Sequence, residues 1–489
     1  MVNNRCTGTN NLTETVLRTP VKWCSVSLSD VISAGKRIDA STFDIDLIQA
    51  KERIQKSIYP ITTIVGRDGL CDAYRPGICK RIFVEPSDSS IPMLTPSQVT
   101  DLYPKAEKYL SATMAKEITN WYVQDREVLL TCSGTVGKLA YVSRTLGGKC
   151  VSQNLIRLVA NSENNAGYVY AYLSTKTGQI FLTRNNYGAV IQHIDPEHLQ
   201  NVPIPNAPET IKKRIHNLIV ASYELRDDSN DLLDEAQALL VEELQLPAVR
   251  DFNVDYFRKQ APVDTYSVKL SDMAGRLDAS YHVPIVSAIT EHLQNHAAEV
   301  TTIGDSRISS EVILPGRFKR VYVDEGFGRV FIGGKQLWEL DPSNKKYLSL
   351  VHHGDRITKQ LELHENMTLI TCSGTIGKVA LVGKHWENWA ANQHIIRVVP
   401  ANDDIAGYLN VFLSSEYGYQ LITHFTYGSV VDEIDDNHVR QIPLPLLKNK
   451  AVQDRINALA LEANKKRYEA YLLEQQVIEI MNNEVIFAK

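Results

Sequence analysis

The sequence is poor in the features that would place the chain in a membrane, outside the cell or on a metal ion. Its seven cysteines are odd in number and form no Cys-x-x-Cys pair, so neither a disulfide framework nor a zinc site is predicted. No apolar run approaches the roughly 18 residues that a membrane-spanning helix needs. The N-terminal MVNNRCTGTN also lacks the apolar segment of a secretion signal. These absences predict a soluble, cytoplasmic protein with no membrane partner.

An excess of positive charge is also missing. The 489 residues include 52 Lys and Arg against 57 Asp and Glu, a formal net charge of −5. This balance argues against one large non-specific nucleic-acid surface, because such a surface needs clustered basic residues. Small basic patches on single domains remain compatible with it. The length allows two to four domains, and a 44% hydrophobic composition is typical of globular proteins.

Sequence signatures of catalysis are absent as well. The chain has no Asn-Pro-Pro-aromatic motif of an amino-methyltransferase, no helicase motor motif, no Gly-x-Ser-x-Gly and no clear nuclease cluster. Its two Gly-Lys pairs fail as Walker loops, because Cys132 and Cys372 replace the first glycine, and Leu139 and Val379 replace the Ser or Thr. No His or Cys cluster has metal-ligand spacing. The sequence therefore predicts a protein that recognises rather than catalyses.

What the chain does contain is one stretch twice. Residues 129–142 read LLTCSGTVGKLAYV and residues 369–382 read LITCSGTIGKVALV, with ten of fourteen positions identical at a constant offset of 240. A period this long indicates a duplicated domain. Other matched segments follow the same order in both copies, namely RIDAS and RLDAS (37–41, 276–280), PGICKRIFV and PGRFKRVYV (76–84, 315–323), and Pro-x-Pro (203–205, 443–445).

Local patterns predict the elements within each copy. The Pro-Gly segments predict a turn followed by a strand. The duplicated stretch predicts a strand, a glycine-punctuated loop and a second strand. QNLIRLV and QHIIRVV add another strand, and the apolar spacing after Gly167 and Gly407 predicts a helix. Each copy is expected to end in an extended Pro-x-Pro segment.

A long helix is predicted after each Pro-x-Pro, at about 209–244 and about 450–481, since these stretches lack Pro and Gly. Apolar residues recur there at alternating spacings of three and four, the pattern of a coiled coil. Neither helix can bury its stripe alone, so we expect the two to pack antiparallel; independent docking of each helix on other chains is the alternative. The predicted stripes, which are also the predicted partner-binding helices, include Ile215, Leu218, Leu225, Leu232, Ile456, Leu459, Leu473 and Val477.

The predicted fold class is α+β, with two mixed α/β globular domains separated by two long helices that form an antiparallel coiled coil, and with internal pseudo-two-fold duplication. The predicted segments are an N-terminal arm (1–20), a first globular domain (21–207), a first long helix (208–246), a linker (247–264), a second globular domain (265–447) and a second long helix with the C-terminal tail (448–489).

Candidate contact residues recur at matched places in the two copies. The glycine loop offers backbone amides, Ser, Thr and Lys, which suit phosphate or base edges, and a dibasic pair precedes a predicted strand. The alternatives are a tight hairpin whose glycines take positive φ, a solvated dibasic face and a half-buried tyrosine. The candidate DNA-binding residues are Lys80, Arg81, Ser133, Thr135, Lys138, Arg184, Tyr187, Lys319, Arg320, Ser373, Thr375, Lys378 and Tyr427.

This order of parts resembles the specificity subunits of type I restriction-modification systems. The resemblance runs from about residue 21 to the end and is carried by the two TCSGT-x-GK loops, Gln153 and Gln393, the Tyr-Gly pairs at 187 and 427, the Pro-x-Pro segments and the two helices. It implies that each globular unit is a target recognition domain reading one half of a split double-stranded DNA site. The stretches before the loops differ (88–120 against 331–365), as expected for an asymmetric site.

The resemblance also implies the partners. The helix pair would set the spacer and dock two methyltransferase subunits, onto which motor-nuclease subunits assemble. This chain would hold no cofactor; S-adenosylmethionine, ATP and Mg would belong to the partners, which would methylate a flipped adenine at N6. Two other interpretations stay open: an adaptor whose duplicated domains hold proteins, and a stand-alone DNA-modifying enzyme with an unfamiliar motif.

Overall fold

The computed structural model describes residues 25–33, 43–184, 193–252, 254 and 265–488. The predicted N-terminal arm and most of the predicted linker lie outside the described residues. The helices of the described part are α1 (Leu28–Ser33), α2 (Ile45–Gln55), α3 (Glu163–Ser174), α4 (Lys176–Arg184), α5 (Glu209–Glu243), α6 (Pro284–His296), α7 (Leu350–Arg356), α8 (Asp403–Leu413), α9 (Glu416–Thr423), α10 (Asp436–Gln441) and α11 (Lys450–Ile480).

The strands of the described residues divide equally between the two copies, hereafter the first repeat (up to residue 207) and the second repeat (265–447). The first repeat contains β1 (Ile61–Thr63), β2 (Cys71–Tyr74), β3 (Phe83–Val84), β4 (Ile91–Leu94), β5 (Lys108–Leu110), β6 (Val128–Thr131), β7 (Leu139–Tyr141), β8 (Cys150–Val151), β9 (Leu155–Ala160) and β10 (Pro203–Pro205). The second contains β11 (Glu299–Thr302), β12 (Ser309–Ile313), β13 (Tyr322–Val323), β14 (Gly328–Ile332), β15 (Lys346–Ser349), β16 (Thr368–Thr371), β17 (Val379–Leu381), β18 (Ala390–Ala391), β19 (Ile395–Pro400) and β20 (Pro443–Leu446).

The sheets confirm the duplication, because their strand orders correspond one to one. The orders β2-β9-β6-β7 and β3-β5-β4-β8 in the first repeat match β12-β19-β16-β17 and β13-β15-β14-β18 in the second. In both repeats the duplicated stretch forms an antiparallel hairpin, β6–β7 or β16–β17. The predicted α+β fold class is confirmed.

The Pro-x-Pro segments are extended, as predicted, and each closes its repeat. Strand β10 pairs antiparallel with β1, and β20 pairs with β11, so the beginning and the end of each repeat lie side by side. Prolines suit such a two-stranded ribbon, because they lack the N–H that a central strand would need. Their carbonyls are used instead: Tyr168 Oη donates to the Pro205 carbonyl at 2.5 Å, and Tyr408 Oη to the Pro445 carbonyl at 2.7 Å.

Helices α5 and α11 pack against each other along their lengths in antiparallel fashion. Arg214 pairs with Glu484 at one end, and Glu243 accepts from the Asn449 N–H at the other. At 1.5 Å per residue the two helices are ~52 Å and ~46 Å long. Their contact includes polar groups in the middle, such as the fully buried Ser222, whose Oγ donates to the Ala470 carbonyl at 3.0 Å.

Each repeat completes its hydrophobic core with an end of both helices. The first-repeat core contains Ile215 from the start of α5 and Val477 from the end of α11. The second-repeat core contains Leu240 from the end of α5 and Ile456 from the start of α11. The two globular units are therefore attached at opposite ends of the helix pair.

The predicted apolar stripes face inward along this arrangement. Ile215, Ile456, Leu459 and Val477 are buried. The other stripe residues are half-buried, namely Leu218, Leu225, Leu232 and Leu473. These side chains are therefore occupied within the chain, and the outward faces of the helices carry the exposed residues.

A buried arginine occupies the same strand position in each repeat. Arg157 on β9 and Arg397 on β19 are both 0% exposed. Arg157 donates to the carbonyls of Trp121 (2.6 Å) and Tyr122 (3.0 Å), and Arg397 donates to that of Leu361 (3.2 Å). A guanidinium can remain buried here because it donates to several backbone carbonyls, although Arg157 Nε has no partner among the described residues.

Candidate nucleic-acid interface

The two glycine loops have the same rigid geometry. In the first repeat, Gly134 and Gly137 have φ of +75° and +97°, a conformation that glycine adopts without strain. The Thr131 hydroxyl closes the loop by accepting from the Lys138 N–H at 2.9 Å, and the Thr371 hydroxyl accepts from the Lys378 N–H at 3.0 Å in the second repeat. The loops are thus the tight hairpins that one of the two sequence interpretations predicts.

The loop side chains differ in exposure in a way that repeats between the copies. Thr135 and Thr375, at the tips, are exposed, whereas Ser133 and Ser373 are half-buried. The two threonine hydroxyls and the nearby backbone groups are therefore the parts of the loops that are open to a ligand.

Glu433 contacts three predicted parts of the second-repeat site. Its carboxylate accepts from Arg317 Nη2 at 2.9 Å and from Ser373 Oγ at 3.5 Å. Its backbone pairs in both directions with Tyr427, whose side chain is 41% exposed. The glycine loop, the segment before β13 and the tyrosine loop are brought together, although Glu433 was not singled out from the sequence.

The dibasic pair of the second repeat divides between solvent and protein. Lys319 is exposed. Arg320 is half-buried, donates from Nη2 to Gln393 Oε1 at 2.7 Å and lies over the Phe331 ring, 5.7 Å from its centre. Only the lysine is therefore available as an unencumbered positive charge.

The first repeat lacks this constellation at the matched positions. Ile78 stands where the second repeat has Arg317, and His193 stands where it has Glu433, although His193 forms the same bridge with Ser133 that Glu433 forms with Ser373. Gln153, which matches Gln393, is 4% exposed, and its Oε1 has no hydrogen-bond partner among the described residues.

Exposure of the dibasic pair nevertheless repeats in the first copy. Lys80 is exposed and Arg81 half-buried, like their counterparts in the second repeat. The Arg184 side chain and Tyr187 lie outside the described residues, so their predicted contacts stay predictions.

The two loop lysines are placed differently from the solvent-facing position expected of them. Lys138 Nζ forms an ion pair with Glu339 Oε1 of the other repeat at 2.5 Å, with the side chains 19% and 9% exposed. Lys378 lies over the Trp338 ring, 4.2 Å from its centre. Both ammonium groups are thus occupied by protein where the repeats touch, which sequence reasoning missed because Glu339 is 201 residues from Lys138.

The repeats consequently contact each other as well as the helix pair. The Leu102 N–H donates to the Trp338 carbonyl at 2.7 Å across this contact. Burial raises the pKa of Asp101, beside Leu102, to about 7, with Lys378 and Lys138 opposing the rise and Glu339 adding to it. The expectation that the helices simply hold the two units apart is therefore incomplete.

Neither a metal centre nor a membrane segment is apparent in the described ranges. Among these residues no group of three or more His, Cys, Asp or Glu side chains is placed to hold a metal ion. Within the same ranges, no helix has both the length and the apolar character required to cross a bilayer.

Comparisons with known proteins give matches among solved structures alone. No family model matches the chain, and no curated protein matches it. Among solved structures, the type I restriction-modification S subunit from M. genitalium has a TM-score of 0.32 at 12% identity, covering 87% of this chain and 95% of its own. The HsdS subunit from Thermoanaerobacter tengcongensis has a TM-score of 0.26 at 12% identity, covering 86% and 98%.

A third neighbour comes from a structure described as showing assembly and conformational transition of the type I R-M system. Its TM-score is 0.25 at 14% identity, and the match covers 84% of this chain and 97% of that chain. Structural neighbours that span most of the chain are thus S subunits of type I restriction-modification systems. TM-scores this low carry no argument by themselves, so a functional assignment rests on this chain's own residues.

Proposed function

We propose that the chain is the DNA sequence-recognition subunit of a type I restriction-modification complex, in which each repeat reads one half of a bipartite, asymmetric site. The observation that carries this proposal is the attachment of two copies of one α/β domain to opposite ends of a single antiparallel helix pair. A split site requires two readers at a fixed separation, as in dimeric DNA-binding proteins. The ~52 Å helix corresponds to about 15 base pairs at 3.4 Å each.

The proposed reading faces centre on the exposed residues of the glycine loops and dibasic segments. Lys80 and Thr135 belong to the first face, and Lys319, Thr375 and Tyr427 to the second. A lysine and a hydroxyl suit phosphate and base-edge contacts. The replacement of the Arg317–Glu433 pair by Ile78 and His193 supports different half-sites for the two faces.

The rest of the proposal concerns partners. The chain acts without catalysis of its own, and the outward faces of α5 and α11 dock two methyltransferase subunits, to which motor-nuclease subunits bind. S-adenosylmethionine, ATP and Mg belong to those subunits, which act in the cytoplasm. The inward orientation of the apolar stripes supports docking on the helices. The stripes hold the two helices together as a stiff pair, and the outward faces remain for a partner.

The test is co-expression with the methyltransferase encoded beside this chain, followed by sequencing of methylated bases in the host DNA. We expect methyl-adenine in both halves of a bipartite motif, lost when this chain is deleted. Lys80→Ala with Thr135→Ala should weaken or relax one half only, and Lys319→Ala with Thr375→Ala the other half. Each lost phosphate contact should reduce the salt slope of binding by about 1.

Point variants are preferred to domain deletion, because each core contains residues of both helices and loss of one repeat would expose the helix ends that it covers. A methylome in which no motif depends on this chain would contradict the proposal. So would variants of one repeat that alter both half-sites equally.

A protein-holding adaptor is the second candidate, and one observation favours it. Apolar side chains beside Lys80 are exposed, with Ile78 at 82%, Ile82 at 50% and Phe83 at 49%, and exposed apolar patches are typical of protein-binding surfaces. Titration of the co-expressed complex with duplex DNA at 50 and 200 mM salt separates the two. A steep loss of affinity indicates a DNA reader, whereas absence of DNA binding at both concentrations indicates the adaptor.

A further inference from the structure

The contact between the repeats is made by the same turn in both copies. Gln98 Oε1 accepts from the Thr95 N–H at 2.9 Å, and Gln336 Oε1 accepts from the Gly333 N–H at 3.0 Å. Counting three residues onward from each glutamine gives Asp101 in the first repeat and Glu339 in the second. These two carboxylates are therefore structural equivalents, although their surroundings in sequence differ.

One of these carboxylates meets the glycine loop of the opposite repeat, and the other lies in the electrostatic field of the matching lysine. Glu339 pairs with Lys138 at 2.5 Å. Lys378 is the strongest of the charges that oppose the burial-driven rise in the pKa of Asp101. Lys138 and Lys378 are themselves equivalent residues, but Lys378 lies over the Trp338 ring of its own repeat, so the ion pair across the contact is Lys138–Glu339. We call this set, Lys138, Glu339, Lys378 and Asp101, the inter-repeat clasp.

Burial makes the clasp stronger than a surface ion pair. The Lys138 and Glu339 side chains are 19% and 9% exposed, so solvent screening is weak and an unpaired charge would be costly. A second pair across the same contact, Lys176 with Glu325 at 3.8 Å, has side chains 88% and 70% exposed and serves as a natural comparison. Pairs of that kind contribute little.

The clasp is connected rigidly to the loop tips and to the helices. Lys138 and the exposed Thr135 belong to one loop, which the Thr131 hydroxyl ties at both ends by donating to the Thr135 carbonyl and accepting from the Lys138 N–H. On the carboxylate side, Tyr103 Oη donates to Asp234 of α5, and Gln475 of α11 donates to Asp341 at 3.3 Å. A shift of the clasp must therefore move the loop tips relative to the helix pair.

We propose that the inter-repeat clasp fixes the separation and orientation of the two reading faces, so that the spacer between half-sites depends on the Lys138–Glu339 ion pair as well as on the helices. This inference rests on the proposed function. A relative movement of about 3.4 Å between the faces corresponds to one base pair. Because residues 101 and 339 lie in the stretches that differ between repeats, a recognition domain exchanged from another chain must bring a compatible carboxylate.

The test reverses the charges one at a time and then together. Glu339→Lys places two ammonium groups in contact, and Lys138→Glu with Glu339→Lys restores an ion pair of opposite polarity. Glu339→Gln is a milder variant in case the reversal prevents folding, and Lys176→Glu is the matched control on the exposed pair. Genetically encoded spin labels at the exposed Glu117 and Lys359 report the distance between repeats in the full chain with its methyltransferase.

We expect Glu339→Lys to shift the label distance by about 3 Å or more, roughly one base-pair step, and Glu339→Gln to broaden its distribution. The charge swap should restore the wild-type distance, and Lys176→Glu should leave it unchanged. In the methylome, Glu339→Lys should keep both half-site sequences but change the spacer or lower methylation at least tenfold, with recovery in the charge swap.

Two results would overturn the clasp. One is an unchanged distance in both Glu339 variants; the other is a changed distance with the wild-type spacer and methylation level. The second result leaves the proposed function standing, because the motif still depends on the chain. A wild-type chain that directs no motif overturns the proposed function, and the spacer role falls with it.

Discussion

The two repeats share a scaffold and differ in the surface that it presents. Thr131 and Thr371 close the same loop, and Arg157 and Arg397 occupy the same buried position. By contrast, the hub of the second site, Glu433, has a histidine as its counterpart in the first. The difference teaches that the two copies kept the residues that pack and diverged in residues at the surface, which is consistent with the proposed reading of unlike half-sites.

The largest contrast between the repeats should come from the C-terminus of the chain. Met481, Val485 and Ile486 are at most 2% exposed, and all three lie in the first-repeat core. Truncation after Ile480 should therefore open the first repeat while sparing the second. Loss of buried side chains of this size costs roughly 2–5 kcal/mol each.

Hydrogen exchange with mass spectrometry measures this contrast directly. Strands β6 and β9 should lose protection, and β16 and β19 should retain theirs. Asn483→Ala, at an exposed position of the same C-terminal segment, is the control. Equal loss of protection in both repeats would mean that the cores are not assigned to the helix ends as described.

The second-largest contrast should come from the buried arginines, whose replacement should destabilise the two repeats to different extents. Arg157 has a carboxylate neighbour, Glu127, with Nη1 and Oε2 3.5 Å apart, whereas Arg397 donates only to carbonyls among its described contacts. Arg157→Leu leaves a buried charge and should cost about 3–5 kcal/mol. Arg397→Leu leaves unpaired carbonyls and should cost about 1–3 kcal/mol.

Urea unfolding of the two variants, read by exchange in each repeat, checks the order. Burial raises the pKa of Glu127, against the opposing effect of Arg157. The difference between the stability losses of the two variants should therefore narrow at low pH, as the Glu127 carboxyl takes up a proton. Identical losses at pH 8 would show that Glu127 adds nothing to the contrast.

Two matched glycines test the scaffold that the repeats share, because substitution of either should destabilise its repeat to a similar extent. A Cβ on Gly407 would collide with the Asn457 carbonyl oxygen, and one on Gly167 would lie 2.7 Å from the His216 Cα. Either Gly→Ala change should cost about 1–3 kcal/mol through overpacking where a short helix crosses a long one. Thermal unfolding should show similar losses for both.

The control for this pair is Gly354→Ala. A Cβ at that helical position meets nothing within 4 Å, so the change should be neutral or slightly stabilising. A destabilised Gly354→Ala, or a neutral Gly407→Ala, would contradict the crossing geometry.

The smallest expected contrast is in how the stability of each repeat depends on pH. The Gly167 N–H donates to His216 Nδ1 at 3.3 Å, while the Gly407 N–H donates to Asn457 Oδ1 at 2.8 Å. Burial lowers the pKa of His216, with Glu163 opposing. A lowered pKa means that the folded state binds the proton less well than the unfolded state, so this contribution is present above pH 6.5 and is lost as the pH falls below that ordinary histidine value.

His216→Asn should therefore flatten the acid-side loss of stability of the first repeat. The effect should be roughly 1 kcal/mol, the usual contribution of one hydrogen bond, and the second repeat should not change. Unfolding midpoints measured from pH 7.5 to 5 provide the check. A first repeat that loses as much stability in the variant as in the wild type would contradict the role of His216.

Sequence reasoning succeeded where the determining signal is local. The helix after Pro208 begins at Glu209, as predicted, because the absence of Pro and Gly and the apolar spacing are visible over a few turns. The hairpin loops follow from their glycines in the same way. Partners distant in sequence were not predictable: nothing near Lys138 points to Glu339, and Glu433 becomes a hub only when three loops meet.

The shared cores also determine the order in which the two repeats can complete their folding during synthesis. Ile486, which is 2% exposed inside the first repeat, leaves the ribosome more than 260 residues after Ile219, its fellow core residue on α5. At 5–20 residues per second, roughly 13 to 50 seconds separate the two. The first repeat is therefore begun first but completed after the second, and part of its interior stays uncovered until residues 477–486 have been synthesised.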